Sequence, residues 1–268
     1  MLEAAAKASV VLTRPHGKNE ALAARLSRAG LNALLLPALR ILPLHGPVPP
    51  PEHYDLIVFV SSNAARFYMD ELAAQRQPLP WPAATWAAAV GAPSARFLQD
   101  YGGIPAGRIV QPDARRGTQD SEGLWAVLQP LLPGLRRVLI VRGQSGREWL
   151  GERFLQAGIE VERLALYERR AAVWDAEQGG ALTAALRAGP CVFLLTSGEG
   201  VDAVQANVLR LGLQDEWGRS RFVAVHERVA SRLQSAVQAS GKVEPPMVKL
   251  CQPDDDAIFQ ALVQTISP

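Results

Sequence analysis

Short apolar runs alternate with amphipathic stretches along most of this chain. The runs predict strands at SVVLTR (9–14), ALLLPAL (33–39), DLIVFVS (55–61), WAAAVG (86–91) and RIVQ (108–111). Further strands are predicted at RVLIVR (137–142), VERLALY (161–167), CVFLLT (191–196), RFVAV (221–225) and VKLCQ (248–252). Strands separated by helical patterns argue for parallel sheets covered by helices on both faces. Ten strands are too many for one small sheet and suit two sheets of about five.

The ten arise from an internal repeat. When VLTRP (11–15) is aligned with LIVRG (139–143), the helices that follow match without a gap. Arg14 falls on Arg142, Glu20 on Glu148, Leu22 on Leu150 and Arg25 on Arg153. Ala29-Gly30 falls on Ala157-Gly158, and Leu36 on Leu164. Each glycine stands where a helix C-terminus needs the left-handed conformation. After a small shift Ser62 meets Ser197, AVGAPSARFLQ meets AVHERVASRLQ, and QPDARRG meets QPDDDAI.

Two segments fall outside this order. PLHGPVPPPEHYD (43–55) is too proline-rich for a sheet interior, and ERRAAVWDAEQGG (168–180) occupies the equivalent place in the second half. Both follow the second strand of their repeat and read as crossings between domains. The predicted architecture is therefore α/β with two similar parallel-sheet, flavodoxin- or Rossmann-like domains. One domain is discontinuous, residues 1–40 with 171–268, and the other is inserted at 46–166. Residues 41–45 and 167–170 form a two-stranded linker, with a cleft expected between the sheets.

Composition narrows the classes. With 48% apolar and 20% charged residues the chain reads as globular, and a net charge of +2 with scattered arginines argues against a nucleic-acid partner. The opening MLEAAAKASV carries Glu3 and Lys7 and lacks the apolar core of a signal peptide. The longest apolar run, LNALLLPALRILPL, is interrupted by Pro37, Arg40 and Pro43, well short of the roughly 20 residues that span a bilayer. Cys191 and Cys251 read as free thiols rather than a disulfide framework. A cytoplasmic protein with no membrane partner is expected.

In open parallel sheets, ligands bind beyond the carboxyl ends of strands, where helix N-termini converge. Here those ends carry Arg14, Ser61-Ser62-Asn63, Gly91 to Ser94, Arg142-Gly143, Thr196-Ser197-Gly198 and His226-Glu227-Arg228. Taken singly, each serine reads as a helix N-cap. Together, at equivalent positions of two repeats, they predict a site lined with amide donors for anions. Dinucleotide and P-loop glycine patterns are absent, the four histidines lack metal-ligand spacing, and no serine stands in a nucleophile elbow. Neither a metal nor an organic cofactor is expected. Tyr167 closes its predicted strand before the second crossing. It reads either as a packing aromatic or as a phenol able to donate a proton. The six tryptophans read as core or rim.

VLTRP, FVSSNAARF, AVGAPSARFL, TQDSEGLWAVL, VRGQSGREWLGERFLQAGIEVERLALYERR, FLLTSGEGV and AVHERVASRL, in this order and spacing, resemble the uroporphyrinogen-III synthases along nearly the whole chain. No single motif is specific, but the order and the tyrosine of LALYERR together are. The resemblance implies two α/β domains joined by a two-stranded ladder, and a cofactor-free lyase acting on hydroxymethylbilane. Loss of the substrate's terminal hydroxyl would give an azafulvene cation. Attack by the substituted carbon of ring D would form a spiro-pyrrolenine, which reopens and recloses with that ring inverted. By position, Tyr167 matches the tyrosine proposed to assist loss of the hydroxyl. Ser61, Ser62, Asn63, Gly91, Ser94, Thr196, Ser197 and Gly198 match substrate-cradling loops, and Ser121 matches a helix start. Arg14, Arg142 and Gly143 complete the predicted substrate contacts.

One departure is visible. Where many relatives carry glycine and threonine, AVHERVA has His226 and Val229, so His226 and Arg228 are the expected carboxylate contacts there. A monomer is expected, and transient contact with hydroxymethylbilane synthase stays open. Two other readings of the residues stand beside the synthase. One is a non-catalytic two-domain module binding an anion or tetrapyrrole; the other is an α/β transferase of a phosphorylated metabolite.

Overall fold

The computed structural model describes residues 9–75, 80–113, 118–189, 191–239 and 245–266. Glu3 and Lys7, and the Ala114–Gly117 part of the QPDARRG match with Arg115 and Arg116, lie outside the described residues. The first elements are β1 (Ser9–Leu12), α1 (Glu20–Arg28), β2 (Asn32–Leu35), β3 (Leu39–Pro43), β4 (Leu56–Phe59), α2 (Ser62–Ala74), β5 (Trp86–Ala89), α3 (Ala92–Asp100), β6 (Ile109–Val110) and α4 (Ser121–Leu128). There follow β7 (Arg137–Gly143), α5 (Trp149–Gln156), β8 (Glu160–Ala171), α6 (Ala176–Ala188), β9 (Cys191–Leu195) and α7 (Gly198–Leu211). The chain ends with α8 (Gln214–Gly218), β10 (Arg221–Ala224), α9 (Glu227–Ala239), β11 (Met247–Leu250) and α10 (Asp255–Ile266).

The chain divides into two compact units, residues 1–40 with 170–268 and residues 41–169. The first holds a five-stranded sheet in the order β11-β10-β9-β1-β2, all ladders parallel. Its strands are apolar at successive positions because both faces are covered. Val11, Phe193, Leu195 and Phe222 pack on one side with Val201, Val204 and Val208 of α7 and Leu233 of α9. Val10, Leu12, Val192 and Leu194 pack on the other with Leu22 and Leu26 of α1 and Leu262 of α10.

The second unit is built on the order β3-β8-β7-β4-β5-β6, with parallel ladders from β8 through β6. Here Ile57, Phe59, Leu139 and Val141 meet Tyr68 of α2 and Leu98 of α3. Leu56, Val58, Val138 and Ile140 meet Leu124 of α4 and Phe154 of α5. Burying one such Leu, Ile or Phe contributes about 1.5–3 kcal/mol, so these two-faced strands supply much of each unit's stability. All six tryptophans lie in or against these clusters.

The repeat is real at the level of topology. Reading β2-β1-β9-β10-β11 against β8-β7-β4-β5-β6 superposes the two orders, with β3 as an addition to the second. The two glycines of the sequence match are its clearest local mark. Gly30 and Gly158 take φ of +79° and +76°. Leu31 N–H then donates to Leu26 O and Ile159 N–H to Phe154 O, which ends α1 and α5 in the same six-residue hydrogen-bonded cap.

Three expectations are corrected. ALLLPAL is not one strand. Leu36 and Ala38 N–H reach Leu12 and Thr13 O, but Pro37 has no N–H to continue the ladder. Leu39–Pro43 instead becomes an eleventh strand, beside β8. ERRA, expected outside the strands, extends β8 to Ala171, so Tyr167 lies within its strand rather than at the end. The repeat equivalence at the α2 and α7 starts is Ser61 with Ser197, one residue from the predicted pair, because those two are the N-caps.

Candidate functional site

In the second unit the chain proceeds from β4 through β5 to β6 in one direction, while β7 and β8 lie on the other side of β4. Connections therefore diverge at the β4–β7 border, the point where open parallel sheets leave a crevice beyond their carboxyl ends. Ser61 follows β4 at that border, Gly143 ends β7, and Tyr167 comes to both from β8.

A register irregularity places the tyrosine. Arg142 pairs with Ala165, but Gly143 pairs with Tyr167, so one residue of β8 is extra. Such a bulge breaks the alternation of faces and re-aims a side chain. Leu166 and Tyr167 are in consequence both buried in the same cluster. The ring lies on the bare backbone of Gly143, where an added Cβ would stand 2.8 Å from Cε2 and 2.9 Å from Cζ. Phe67 flanks it at 6.0 Å between centroids, and the Arg169 guanidinium lies 6.0 Å from its centre. The phenol oxygen is 3.0 Å from Ser61 Oγ, which also accepts the Ala64 N–H at 3.1 Å as the N-cap of α2. Ser62 Oγ lies 3.2 Å from the Oγ of buried Ser94, tying the starts of α2 and α3 together, and Asn63 is half-buried in the first turn of α2.

Helix N-termini attract anions only where no anion already sits. Asp120, rather than Ser121, caps α4. Burial opposes its charge, but donation from Gly123 N–H and Thr118 Oγ1 outweighs that and holds its carboxyl below the usual range. Glu20 at α1 is likewise held low, first by its own amide and then by that of Gly17. Asp175 caps α6, and Asp254 accepts from the amides of Asp256 and Ala257 at α10. Residues other than Asp or Glu stand instead before α2 (Ser61), α3 (Gly91), α7 (Ser197) and α9 (His226). Ser197 Oγ accepts from Gly200 N–H at 3.1 Å and His226 Nδ1 from Arg228 N–H at 3.0 Å. At Gly91 the neighbouring Ala92 amide donates to Gln119 Oε1 at 3.3 Å. The first turns of α2 and α3 hold no acidic residue, whereas those of α7 and α9 hold Glu199 and Glu227. Of these four starts, those of α2 and α3 are thus the more anion-friendly.

The two arginines of the repeat are already paired. Arg142, only 9% exposed in its side chain, meets Glu148 and donates to Gly143 O at 3.2 Å. Its guanidinium holds the Glu148 carboxyl below the usual range, with help from Arg163. Arg14 bonds Asp255 at 2.6 Å and Asn19 at 3.3 Å, and its Nη2 is buried without a partner among the described residues. Thr196 and Gly198 flank Ser197 half-buried, while His226 and Arg228 are both exposed.

Gln119 and Asp120 were not among the residues singled out from the sequence. An Asp three residues before Gly123 is an N-cap signal in TQDSEG, whereas nothing local marks Gln119. Among the described residues no group of three His, Cys, Asp or Glu could hold a metal ion, and no helix is long and apolar enough to cross a membrane. Burial pushes the Cys191 thiol up to about 11, so it stays protonated at neutral pH.

Residues 20–240 match the family model described as uroporphyrinogen-III synthase HemD. The chain belongs to that family. The uroporphyrinogen-III synthase of Salmonella typhimurium is 29% identical over 266 residues, covering 95% of this chain and 99% of the relative. That of Escherichia coli is 26% identical, with 95% and 99% covered. The crystal structure of a mutant uroporphyrinogen III synthase from the extreme thermophile Thermus thermophilus matches with a TM-score of 0.56 at 21% identity, over 97% of this chain and 98% of the other. That of the Helicobacter pylori enzyme matches with a TM-score of 0.56 at 16% identity, over 96% and 99%. These two show the shared fold. As a member of the synthase family the chain has that family's activity, a hydro-lyase reaction.

Proposed function

We propose that this synthase acts on hydroxymethylbilane in the cytoplasm, as a monomer. It dehydrates the substrate and closes it through a spiro-pyrrolenine with ring D inverted. Tyr167 gives its proton to the departing hydroxyl. Ser62, Asn63, Gly91, Ser94, Ser121, Arg142 and Gly143 serve as substrate contacts, with Arg14, Thr196, Ser197, Gly198, His226 and Arg228, while Ser61 stands against the Tyr167 phenol. The observation that carries this reading is the phenol of Tyr167 held at the β4–β7 border, beside two helix starts free of acidic residues. Each start favours a substrate carboxylate by about 0.3–1 kcal/mol. Dehydration with ring closure involves no net redox change, so the chemistry asks mainly for a held geometry and one proton donor.

The test is to feed freshly generated hydroxymethylbilane to the purified, metal-free protein and to resolve the oxidised products by chromatography. Type III porphyrin above a no-enzyme control is expected. Type I at the control rate would overturn the reading.

Two predictions belong to individual residues. His226→Ala and Arg228→Ala should each raise KM for hydroxymethylbilane; unchanged KM in both would remove the proposed carboxylate contact. Gly143→Ala should displace the Tyr167 ring, since the new methyl cannot coexist with ring carbons 2.8 and 2.9 Å away. The expected result is a fall in kcat together with a loss of about 1–3 kcal/mol of stability from overpacking. Normal kcat and normal melting would show that the ring is free to move.

A further inference from the structure

We infer that Ser61 is a positioning residue for the dehydration, acting through Tyr167 rather than on the substrate. The inference rests on the proposed role of Tyr167 and concerns how its proton is made available.

Ser61 Oγ has two neighbours at hydrogen-bond distance. It accepts the Ala64 N–H at 3.1 Å, which makes it the N-cap of the thirteen-residue helix α2. Its second neighbour is Tyr167 Oη at 3.0 Å. A serine hydroxyl has a single proton and two acceptor sites. With one site taken by the Ala64 amide, the hydroxyl proton is free to point at the phenol oxygen. In the orientation in which Ser61 donates, three groups line up in one sense, Ala64 N–H to Ser61 Oγ and Ser61 O–H to Tyr167 Oη. The phenolic proton is left as the one donor of the chain still unspent.

The alignment matters once that proton moves. It passes from Tyr167 Oη to the oxygen of the substrate's terminal hydroxyl. The carbon–oxygen bond breaks with its electron pair going to oxygen, water leaves, and the pyrrole nitrogen takes up the positive charge. The phenolate that remains accepts the Ser61 hydroxyl as a charge-assisted bond, which is shorter and stronger than the neutral one. The α2 N-terminus behind Ser61 favours the same negative charge, and no acidic side chain in its first turn opposes it. The proton released when the macrocycle finally closes restores the phenol. The interaction thus strengthens as charge develops, the condition under which a group accelerates the step instead of only binding.

The surroundings fix this geometry. Gly143 leaves room for the ring, the β8 bulge aims it, and Phe67 closes one side. The equivalent N-cap in the other unit, Ser197, accepts the Gly200 amide in the same manner. By the match that sets Leu36 on Leu164, Tyr167 falls on Leu39 at the start of β3, and no tyrosine occurs from residue 32 to residue 43. The serine cap is therefore common to both repeats, and the phenol is peculiar to one.

The experiment is a double-mutant cycle on kcat and KM with hydroxymethylbilane. The variants are Ser61→Gly, Ser61→Thr, Tyr167→Phe and Ser61→Gly/Tyr167→Phe. Glycine is chosen because it starts helices nearly as well as serine, so folding is preserved. Ser61→Gly is expected to lower kcat about tenfold or more with KM little changed, as for an interaction made only in the transition state. Ser61→Thr, which keeps the hydroxyl, should recover most of the loss. In the Tyr167→Phe background the glycine substitution should cost almost nothing further. An undiminished second loss in the double variant would overturn the inference while leaving the tyrosine's role intact, because Ser61 would then act independently. A rise in KM with unchanged kcat would also overturn it, making Ser61 a substrate contact. Full activity of Tyr167→Phe would instead sink the underlying reading of the tyrosine.

Discussion

Tyr167→Phe should lower kcat by about 10²–10⁴-fold while leaving KM near its original value, because a positioned general acid typically contributes that much. The substitution keeps the ring that fills the space over Gly143 and beside Phe67, so the packing of the second unit survives. Only the hydroxyl and its bond to Ser61 are lost, a change of about 0.5–1.5 kcal/mol in folding. Turnover should not vanish, since the pyrrole nitrogen itself helps to expel the hydroxyl. Initial rates must be measured against spontaneous closure, which yields type I product and grows in proportion as the enzyme slows. A loss far beyond about 10⁴-fold would mean that the phenol also holds the substrate or guides the second closure. A loss below about tenfold would make Tyr167 a packing residue.

The second large effect concerns stability and lies in the other unit. Asn207, 3% exposed on α7, should be among the most damaging single positions to truncate. Its Oδ1 accepts the Trp174 N–H at 2.9 Å and an Arg210 N–H at 3.1 Å, and its Nδ2 donates to Ala172 O at 2.7 Å and Ala203 O at 2.9 Å. Beyond the end of β8, the Ala172 N–H still bonds Ala38 O, and the Asn207 side chain takes up the Ala172 carbonyl and the Trp174 amide. Trp174 then buries its ring in the core and donates its indole N–H to Pro37 O at 3.1 Å. In Asn207→Leu the Trp174 N–H and the Ala172 carbonyl are left buried without Asn207. At about 1–3 kcal/mol for each orphaned group, the loss is on the order of 2–6 kcal/mol. Hydrogen exchange followed by mass spectrometry checks it. Protection should fall in peptides of residues 172–211 by roughly tenfold per 1.4 kcal/mol, while peptides of 56–143 keep theirs. Equal loss in both sets, or none in either, would contradict the assignment.

Legibility of the site in the sequence followed a physical divide. Ser61, Gly91, Ser197 and His226 were visible because helix starts after apolar strands are local features, set by a few adjacent side chains. Asp120 was passed over in favour of Ser121, since the choice of capping residue turns on one position of backbone geometry. That difference alters the chemistry, because it puts a carboxylate where an amide donor for anions was expected. Arg14 and Arg142 were recognised as equivalent strand-end residues, but their pairing with Asp255 and Glu148 is not readable from spacing. Asp255 is distant in sequence, and nothing local points to it.

What the sequence by itself determined is everything governed by short-range pattern. The apolar runs specified strands buried on both faces, and the matched glycines Gly30 and Gly158 specified identical helix ends. The order of motifs marked the family. Tertiary structure alone decided the features that need a partner from elsewhere in the chain. Leu39–Pro43 becomes a strand only because β8 offers it an edge. Tyr167 reaches Ser61 only because a bulge against β7 turns it over a residue with no side chain. Strand pairing and register are contacts between distant segments, and no window of local sequence contains both members of such a pair.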